Sequence, residues 1–489
     1  MLLFFTGLFI LLIGYILYGS FVEKVVGISE RRATPAVTDR DGVDFVVMPQ
    51  WKNMMIQLLN IAGVGPVLGV IMGIKFGSIV FIIIPVGNII GGAVHDFVAG
   101  MMSLRAHGAN LPTLIRRENG QAFAAIFSIF MTILLLLVVA VFITTPAQLC
   151  ASLAPAAKSP VMWCAVGAIF LYYIVSTIFP VDQIIGMIYP IFGALLLVGT
   201  GALFVALMLA ADADPQLLKE SAGFKDGMFT AAKNQPIIPM LFVTIACGIL
   251  SGFHATQSPI IARTMRSERE ARGNFYGMMV VEGFIAMVWA AAALAIYNLY
   301  PEQMGAKPPA VLQYLCNYFL GGKAGGLVVI SVIILSITSG DTAMRSLRLS
   351  LAEIFHIPQK RLWSRIVLCL PIIVVVALLI WWSNISAKTF NHLWNYFAWG
   401  NQVLAACTLT AATEWLIARK RNALITIVPG VFMTFVVICF ILWTSPRHGG
   451  PAGFGMELHL AQIVAAVLAV ASMGMAIRHG FKMQKHLIK

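Results

Sequence analysis

The sequence predicts an all-α polytopic membrane protein with about thirteen transmembrane helices. Of its 489 residues, 60% are hydrophobic and only 11% are charged, whereas an ordinary soluble domain is roughly a quarter charged. This composition argues against a soluble enzyme, and it excludes a disordered chain, which requires low hydrophobicity. The net charge of +13 is typical of nucleic-acid binding, but so apolar a chain has little polar surface for it. We therefore expect no nucleic-acid partner.

Thirteen apolar runs have about the 17 to 25 residues that a helix needs to cross the hydrocarbon core. The first run has neither the basic start nor the small-residue cleavage site of a signal peptide, so we interpret it as a membrane helix. The runs lie at 2–19, 54–74, 79–104, 121–146, 161–179, 185–211, 237–262, 275–299, 326–345, 366–382, 391–417, 423–444 and 457–477.

The basic residues of the predicted loops support this assignment. Loops on the same side as the C-terminus hold 24 of the 33 Lys and Arg residues, and loops on the other side hold nine. Positively charged loops remain in the cytoplasm. We therefore expect a cytoplasmic C-terminus and an N-terminus on the outer side.

Two of the predicted membrane helices are interrupted at matching places. Gly63, Gly65 and Pro66 interrupt the second run, and Gly252 and Pro259 interrupt the seventh. Proline removes a backbone hydrogen bond and glycine favours unwinding, although both residues are also common in membrane helices without a special role. Because five crossings separate the two starts, the matched pair favours two five-helix units of opposite orientation.

The predicted organisation follows from this repeat. An extra helix and a cytoplasmic loop occupy 1–53, and the first unit occupies 54–211. An extracytoplasmic loop at 212–236 leads to the second, inverted unit at 237–417. Two further helices and a cytoplasmic tail occupy 418–489. Interrupted helices in inverted units are typical of secondary transporters, because unwound carbonyls bind cations and half-helix N-termini face anionic groups.

The two interruptions supply the candidate substrate-binding residues. Polar side chains gather at the second interruption, where we expect them to contact carboxylate or amide groups of a substrate at the bilayer midplane. The candidates are Gly63, Gly65, Pro66, Gly252, His254, Thr256, Gln257 and Ser258.

Ionisable residues inside the predicted helices are candidates for ion coupling, because charges in the bilayer are costly and usually functional. His95 and Asp96 are adjacent and form a pair suited to relaying protons. The alternative is a structural anchor for unwound backbone. Glu282 lies in a strongly apolar run and is a further candidate proton carrier, whereas Glu414 lies near a basic loop and suggests an interfacial role.

A second coupling candidate surrounds Asp341. The hydroxyl residues Thr338, Ser339 and Thr342 flank this carboxylate, and hard oxygen ligands suit sodium or a carboxylate that carries a proton. The alternative is an ion pair between Asp341 and Arg345, four residues further along the helix.

Several kinds of chemistry lack their motifs in this sequence. HExxH, GxSxG and GxxxxGK[ST] are all missing, which argues against a zinc protease, a serine hydrolase and an ATP-driven pump. The seven cysteines form no CxxC pair, so neither a zinc site nor a disulfide framework is indicated. We expect no catalytic residue, no metal and no cofactor.

Five motifs, at 63–69, 91–105, 251–259, 275–283 and 340–345, are similar to those of the carbon starvation protein family CstA, whose members are bacterial inner-membrane transporters. The resemblance implies peptide transport linked to nutrient starvation, with close relatives that import pyruvate with protons. It also implies kinship with the LeuT-like amino acid transporters. The chain is shorter than the better-known members, and we expect it to lack some of their C-terminal membrane segments.

These observations together predict a secondary transporter of the bacterial inner membrane. We expect it to import small peptides by alternating access coupled to protons or sodium. Proton-coupled import of pyruvate or another small carboxylate is the alternative. A channel requires a repeated ring of polar residues and a starvation sensor requires a soluble output domain, and the sequence has neither feature. The predicted partners are the substrate, the coupling ion and the lipid bilayer.

Overall fold

The computed structural model describes residues 1–154, 157–179, 185–220, 236–305, 308–446 and 452–487. These residues form helices and connecting loops, with no β-strand among them. Most of the predicted extracytoplasmic loop at 212–236 lies outside the described residues. The prediction of an all-helical chain is confirmed for the described part.

Thirteen long helices occur in the described residues, and we number them α1 to α13 in chain order. Helices α2 and α7 each consist of two segments, a and b, separated by a break. The helices are α1 (Leu2–Val26), α2a (Gln50–Ile61) with α2b (Gly65–Phe76), α3 (Val80–Leu104), α4 (Gln121–Leu153), α5 (Lys158–Ile178), α6 (Ile185–Ala213), α7a (Ile237–Ile249) with α7b (Phe253–Ala262), α8 (Glu268–Leu299), α9 (Pro308–Ile354), α10 (Leu362–Ser383), α11 (Ala387–Ala418), α12 (Leu424–Trp443) and α13 (Leu458–Leu487).

Eleven of these helices are individually long and apolar enough to cross a bilayer, and the broken helix α2 is a twelfth. Helix α11 has 32 residues, which is ample for a crossing, but it is more polar and packs against α4, α12 and α13. All thirteen coincide with the predicted apolar runs. Helix α9 is much longer than its run, and Gly321, with φ of 72°, bends it near its start.

The helices of the two predicted five-helix units pack reciprocally. Helix α7 packs against α3, and its counterpart α2 packs against α8. Helix α9 contacts α5 and α6, and its counterpart α4 contacts α10 and α11. The pairs α2 with α7 and α4 with α9 join the units directly. An inverted five-plus-five repeat produces this exchange of contacts, while the residue limits of the two units remain predictions.

The remaining elements surround the two units. Helix α1 packs against α3 and α8, and α12 and α13 pack against α11. A short helix, Leu111–Asn119, precedes α4. The segment 27–49 connects α1 to α2 across one face of the molecule, and we call it the strap and that face the strap face.

Candidate functional site

Both predicted interruptions are present, each between the two segments of one helix. Segments α2a and α2b meet at an angle of 54°. In α7 the break falls at Leu250, which is extended at φ −169° and ψ 113°, and ends at Gly252. The prolines do not mark the breaks: Pro66 lies in the first turn of α2b, where proline is tolerated, and Pro259 lies within α7b.

Asn401 of α11 holds the break in α7. Its side-chain oxygen accepts a hydrogen bond from the backbone N–H of Phe253 at 2.6 Å, and its carbonyl accepts one from Gly252 at 3.2 Å. Its amide donates to the Ser251 hydroxyl at 2.8 Å. A Cβ on Gly252 would lie 2.2 Å from the backbone nitrogen of Ala405, so only glycine allows this approach. The N–H groups of Gly252 and Phe253 are therefore satisfied by protein.

Asp96 lies at the centre of a buried chain of ionisable side chains, which we call the Asp96 cluster. Its Oδ1 lies 2.8 Å from Nδ1 of His95, and its Oδ2 lies 2.9 Å from Nδ1 of His254. Nε2 of His254 lies 3.8 Å from a carboxylate oxygen of Glu282. The four side chains are 0% exposed and come from α3, α7b and α8.

The pairing around Asp96 determines which nitrogens of the imidazoles are available. An ionised carboxylate only accepts hydrogen bonds, so with Asp96 charged both His95 and His254 donate to it through a proton on Nδ1. Their Nε2 atoms have no hydrogen-bond partner in the described protein, and neither carboxylate oxygen of Glu282 has one. Nε2 of His254 therefore faces the Glu282 carboxyl, and neither has a hydrogen-bond partner among the described residues.

Asp341 of α9 is the centre of a second buried group, the Asp341 cluster. Its Oδ2 accepts hydrogen bonds from Ser176 at 2.7 Å and Tyr172 at 3.2 Å. The Tyr189 hydroxyl lies 2.8 Å from this oxygen and equally 2.8 Å from the carbonyl of Thr338, so its one proton is shared between them. Oδ1 of Asp341 has no hydrogen-bond partner among the described residues. The sequence had not indicated these three hydroxyls, which come from α5 and α6.

The hydroxyls that flank Asp341 in the sequence donate elsewhere. Thr338 and Thr342 donate to carbonyls within α9, as Ser and Thr commonly do in helices. Ser339 donates to the carbonyl of Leu59 at 2.9 Å, just before the break in α2. Ser339 therefore links α9 to α2, whereas Thr338 and Thr342 bond only within α9.

Arg345 does not form the alternative ion pair with Asp341. Its guanidinium lies 3.1 Å from Asp44 of the strap, and that of Arg348 lies 3.5 Å from the same oxygen. Asp44 is only 5% exposed. Burial opposes its ionisation, but the guanidinium groups of Arg348 and Arg345 outweigh burial and hold the pKa of this carboxyl below its ordinary value.

The candidate substrate residues of α2 lie where it contacts α7 and α9. A Cβ on Gly63 would lie 3.1 Å from the hydroxyl oxygen of Ser339, and one on Gly65 would lie 2.4 Å from Sγ of Cys247 in α7a. Pro66 follows at the start of α2b. These residues allow α2 and α7 to approach closely at their breaks.

The candidates of α7b are buried and partly committed to local hydrogen bonds. Thr256 donates to the carbonyl of Phe253 at 2.7 Å, and Ser258 donates to that of His254 at 3.1 Å. Gln257 donates to the Thr256 hydroxyl at 2.8 Å, while its side-chain oxygen has no partner in the described protein. Gln257 and His254 therefore retain the free polar atoms of this segment.

Buried polar atoms without a protein partner surround both breaks. An interior normally leaves few such atoms, because each costs about 1–3 kcal/mol when unpaired. Their concentration indicates a place where polar ligands bind. Gln57 and Asn60, two amides just before the break in α2, and Asn274, near the start of α8, join this set. The described residues of this kind that belong to the broken helices, to the two clusters or to the start of α8 are Gln57, Asn60, His95, His254, Gln257, Asn274, Glu282 and Asp341, while others, such as Glu118 and Thr200, lie elsewhere.

Aromatic side chains cover the site on the face opposite the strap. A cavity of about 280 Å³, lined by residues that include Leu68 and Trp394, opens there. Ring contacts continue inward from Trp394 to Phe397 at 5.7 Å, to Phe142 at 5.7 Å and to Phe253 at 6.0 Å between centroids. Phe253 directly follows the break in α7, so the rings separate this cavity from the buried clusters.

The strap covers the site on the other face. In addition to the ion pairs of Asp44, the Arg263 guanidinium lies 5.0 Å from the Phe45 ring centroid. The backbone N–H of Met48 donates to the carbonyl of Thr264 at 3.0 Å. The strap is thus bound to the ends of both α7 and α9.

Comparison with known sequences establishes the family. The family model described as "Carbon starvation protein CstA" matches residues 1–217, 168–317 and 322–439, and the chain therefore belongs to the CstA family. The resemblance inferred from the motifs is confirmed.

Three relatives illustrate the range of the family. An "Uncharacterized membrane protein" of Haemophilus influenzae is 39% identical over 342 residues, which is 61% of this chain and 92% of that protein. The peptide transporter CstA of Helicobacter pylori is 29% identical over 341 residues, 56% of this chain and 48% of that one. The pyruvate/proton symporter BtsT of Escherichia coli is 26% identical over 351 residues, 58% and 48% respectively. The chain spans about half the length of these two named transporters.

Solved structures share the fold at low sequence identity. MhsT in complex with L-phenylalanine aligns with a TM-score of 0.60 at 11% identity, covering 89% of this chain and 99% of that one. The manganese transporter of Eremococcus coleocola aligns with a TM-score of 0.52 at 14% identity, covering 91% and 99%. The predicted LeuT-like fold is confirmed.

Proposed function

We propose that this protein is a secondary transporter that imports small peptides by cation-coupled alternating access. The observation that carries the proposal is the set of unpartnered buried polar atoms around the paired breaks of α2 and α7. Interrupted helices at the centre of an inverted repeat are where transporters of this architecture bind substrate. The CstA relative named as a peptide transporter supports this substrate class.

The substrate site lies between the breaks, with the amides of Gln57, Asn60 and Gln257 available to a peptide's backbone groups. His254 contacts the substrate and also belongs to the Asp96 cluster, so binding and ion uptake share one side chain. Gly63, Gly65, Pro66 and Gly252 allow the breaks to come together, and Thr256 and Ser258 take part once α7b moves.

The coupling ion is a proton that enters the Asp96 cluster. A proton on His254 or Glu282 changes the charge of a contact that joins α3 of the first unit to α7 and α8 of the second. Because the cluster is buried, that change acts at low effective dielectric and is energetically large. Asp341, with its surrounding hydroxyls, holds a second proton or a sodium ion.

The two covers take part in alternating access. Neither face exposes the clusters, since Asp96, His254 and Asp341 are all 0% exposed. Opening on one face requires the aromatic rings to separate, and opening on the other requires the strap to leave α7 and α9. The excess of basic residues on the strap face supports a cytoplasmic strap in the bacterial inner membrane.

Pyruvate is the second candidate substrate, favoured by the relationship to the pyruvate/proton symporter BtsT. A small carboxylate would bind a protonated His254 without needing all three amides. The two candidates therefore differ in how strongly they depend on Gln57 and Asn60.

Uptake by the full chain in proteoliposomes tests the proposal. Labelled dipeptide and labelled pyruvate are offered separately under an imposed proton or sodium gradient. Saturable, gradient-dependent accumulation of either substrate is the expected result, and the preferred substrate decides between the candidates. Conductance without saturation would indicate a channel and contradict the proposal.

A further inference from the structure

A groove that plays no part in the proposed transport opens on the strap face towards the lipid. It has a volume of about 620 Å³ and lies between α4, the short helix Leu111–Asn119 and the end of α9. Ala125, Ile129 and Ile133 of α4 and Phe355, the residue after α9, line its wall. Ile129 is 65% exposed and Phe355 is 62% exposed, so the wall is apolar and faces outward.

The dimensions of this groove match one leaflet of a bilayer. Its wall on α4 extends from Gln121 to Ile133, which is about 18 Å along a helix. One leaflet contributes roughly 15 Å of hydrocarbon. The groove therefore offers an apolar path as long as a leaflet is deep.

Basic side chains gather at the strap end of the groove. Arg116 and His356 line both the groove and an adjoining cavity of about 670 Å³, which Arg117 and Lys360 also line. Arg116, Arg117 and Lys360 are exposed and take part in no ion pair among the described residues. Three cations without an ion-pair partner among the described residues thus lie beside an apolar groove, and of these Arg117 also attracts the buried carboxyl of Glu118.

The acids of the adjoining cavity do not cancel this charge. Glu353 lies 2.9 Å from the Arg263 guanidinium and accepts further hydrogen bonds from Asn110 and Thr113. Asp44 is paired with arginines of α9, and one oxygen of Asp41 accepts three backbone N–H groups. These hydrogen bonds leave the charge of Asp41 in place, but Asp44 and Glu353 are paired with other arginines, so the basic side chains that line the rim outnumber the remaining acid.

The depth of the rim corresponds to the lipid headgroups. Leu362 and Trp363, which begin α10 just after Lys360, are 51% and 72% exposed. Exposed tryptophan at a helix end is typical of the membrane interface. The cations near it are therefore placed to meet phosphates and the groove to meet acyl chains.

We propose that an anionic phospholipid occupies this site. Its phosphate is held by Arg116, Arg117 and Lys360, and one acyl chain lies in the groove along α4. A zwitterionic lipid offers no net charge to these side chains, so the site selects an anionic headgroup. The lipid contacts α4 of the first unit and α9 of the second, which places it across a junction between the units.

Native mass spectrometry of the full chain with phosphatidylglycerol or phosphatidylcholine tests this assignment. The double variant Arg116→Gln with Arg117→Gln should retain phosphatidylglycerol about 25-fold less tightly, because each basic residue near a membrane surface contributes about fivefold. Arg31→Gln is the matched control, since Arg31 is exposed on the strap and lines neither cavity. It should retain the lipid as the unmodified protein does.

A second pair of variants tests the groove itself. Ala125→Trp fills the groove and should reduce phosphatidylglycerol retention. The matched control is Ile126→Trp, because Ile126 is the next residue of α4 and does not line the groove. Its phosphatidylglycerol retention should not change. The proposal would be overturned if both the arginine double variant and Ala125→Trp retained phosphatidylglycerol as tightly as the unmodified protein. Equal retention of phosphatidylcholine, or complete displacement by inorganic phosphate, would also overturn it.

Discussion

Asp96 and Asp341 are both fully buried aspartates near the interrupted helices, yet their neighbours differ in chemistry. Asp96 lies between the imidazoles of His95 and His254. Asp341 receives hydroxyl groups from α5 and α6 and contacts no imidazole in the described structure. Each carboxylate joins one five-helix unit to the other.

This difference separates two ways of holding a cation. Imidazole exchanges protons near neutral pH, whereas alcohols and phenols do not titrate there. The Asp96 cluster is therefore suited to protons, and the Asp341 cluster offers oxygen ligands suited to a sodium ion or a retained proton. If transport uses one ion, the two sites should respond differently to substitution.

Asp96→Asn should have the largest effect. The amide removes the negative charge that both imidazoles face, so gradient-driven accumulation should be abolished while substrate exchange persists and loses its dependence on pH. Accumulation and counterflow in proteoliposomes measure the two activities. The matched control is Asp39→Asn, because Asp39 pairs with His107 at 3.0 Å on the exposed surface. Accumulation by Asp96→Asn equal to that of the unmodified protein would refute the coupling role.

Asp341→Asn should also prevent accumulation, but the remaining exchange should keep its pH dependence because the imidazoles are untouched. Exchange measured across pH and sodium concentration distinguishes the two variants. Loss of sodium dependence would identify Asp341 as the sodium site. An identical pH response in Asp96→Asn and Asp341→Asn would remove the distinction between the clusters.

Asp44→Asn should destabilise the protein and alter the surroundings of Asp341, although Asp44 does not belong to the Asp341 cluster. It leaves Arg345 and Arg348 without their buried carboxylate, a loss of about 3–5 kcal/mol of stability, and frees Arg345 to approach Asp341 four residues away. Because the pKa of Asp44 is held below its ordinary value of 3.8, the carboxylate stabilises the protein at neutral pH and loses this effect only as the pH falls through that lowered pKa.

The unfolding midpoint of Asp44→Asn, measured at neutral and acidic pH, checks this. The difference in unfolding midpoint between the variant and the unmodified protein should be large at pH 7 and should become smaller towards strongly acidic pH. An equal difference in unfolding midpoint at both pH values would mean that the ion pairs of Asp44 do not account for the lost stability.

Tyr189→Phe should have the smallest effect. It removes a hydroxyl that Asp341 shares with the carbonyl of Thr338. The loss of this hydrogen bond should weaken binding of the coupling ion by about 1 kcal/mol at most, which is a fewfold change in affinity. Tyr173→Phe is the control, because the Tyr173 hydroxyl donates to the carbonyl of Phe142 and not to Asp341. Transport measured at increasing concentrations of the coupling ion gives the apparent ion affinity of both variants. Equal shifts in that affinity would show that the hydroxyl contact with Asp341 is not specific.

Much of the site was accessible from the sequence because polar residues are conspicuous in apolar runs. His95, Asp96 and Glu282 were candidates for that reason, Asp341 also because hydroxyl residues flank it, and His254 because it lies at the second interruption. Hydropathy and the distribution of basic residues also determined the number of helices, and the glycines marked both breaks. The prolines were less informative. Pro259 lies inside α7b, which begins directly after Gly252, and so does not mark the break.

Only the tertiary structure decided which of these residues meet. His254 reaches Asp96 from 158 positions away, and Asn401 holds the break in α7 from a helix far along the chain. Tyr172 and Tyr189 have no distinguishing pattern in the sequence of their apolar helices. Packing of α5 and α6 against α9 brings their hydroxyls within hydrogen-bond distance of Asp341. The hydroxyls beside Asp341 in sequence donate elsewhere, because a helix directs neighbouring side chains to different faces. Sequence therefore determined the helices and their polar residues, and packing between helices determined the partners.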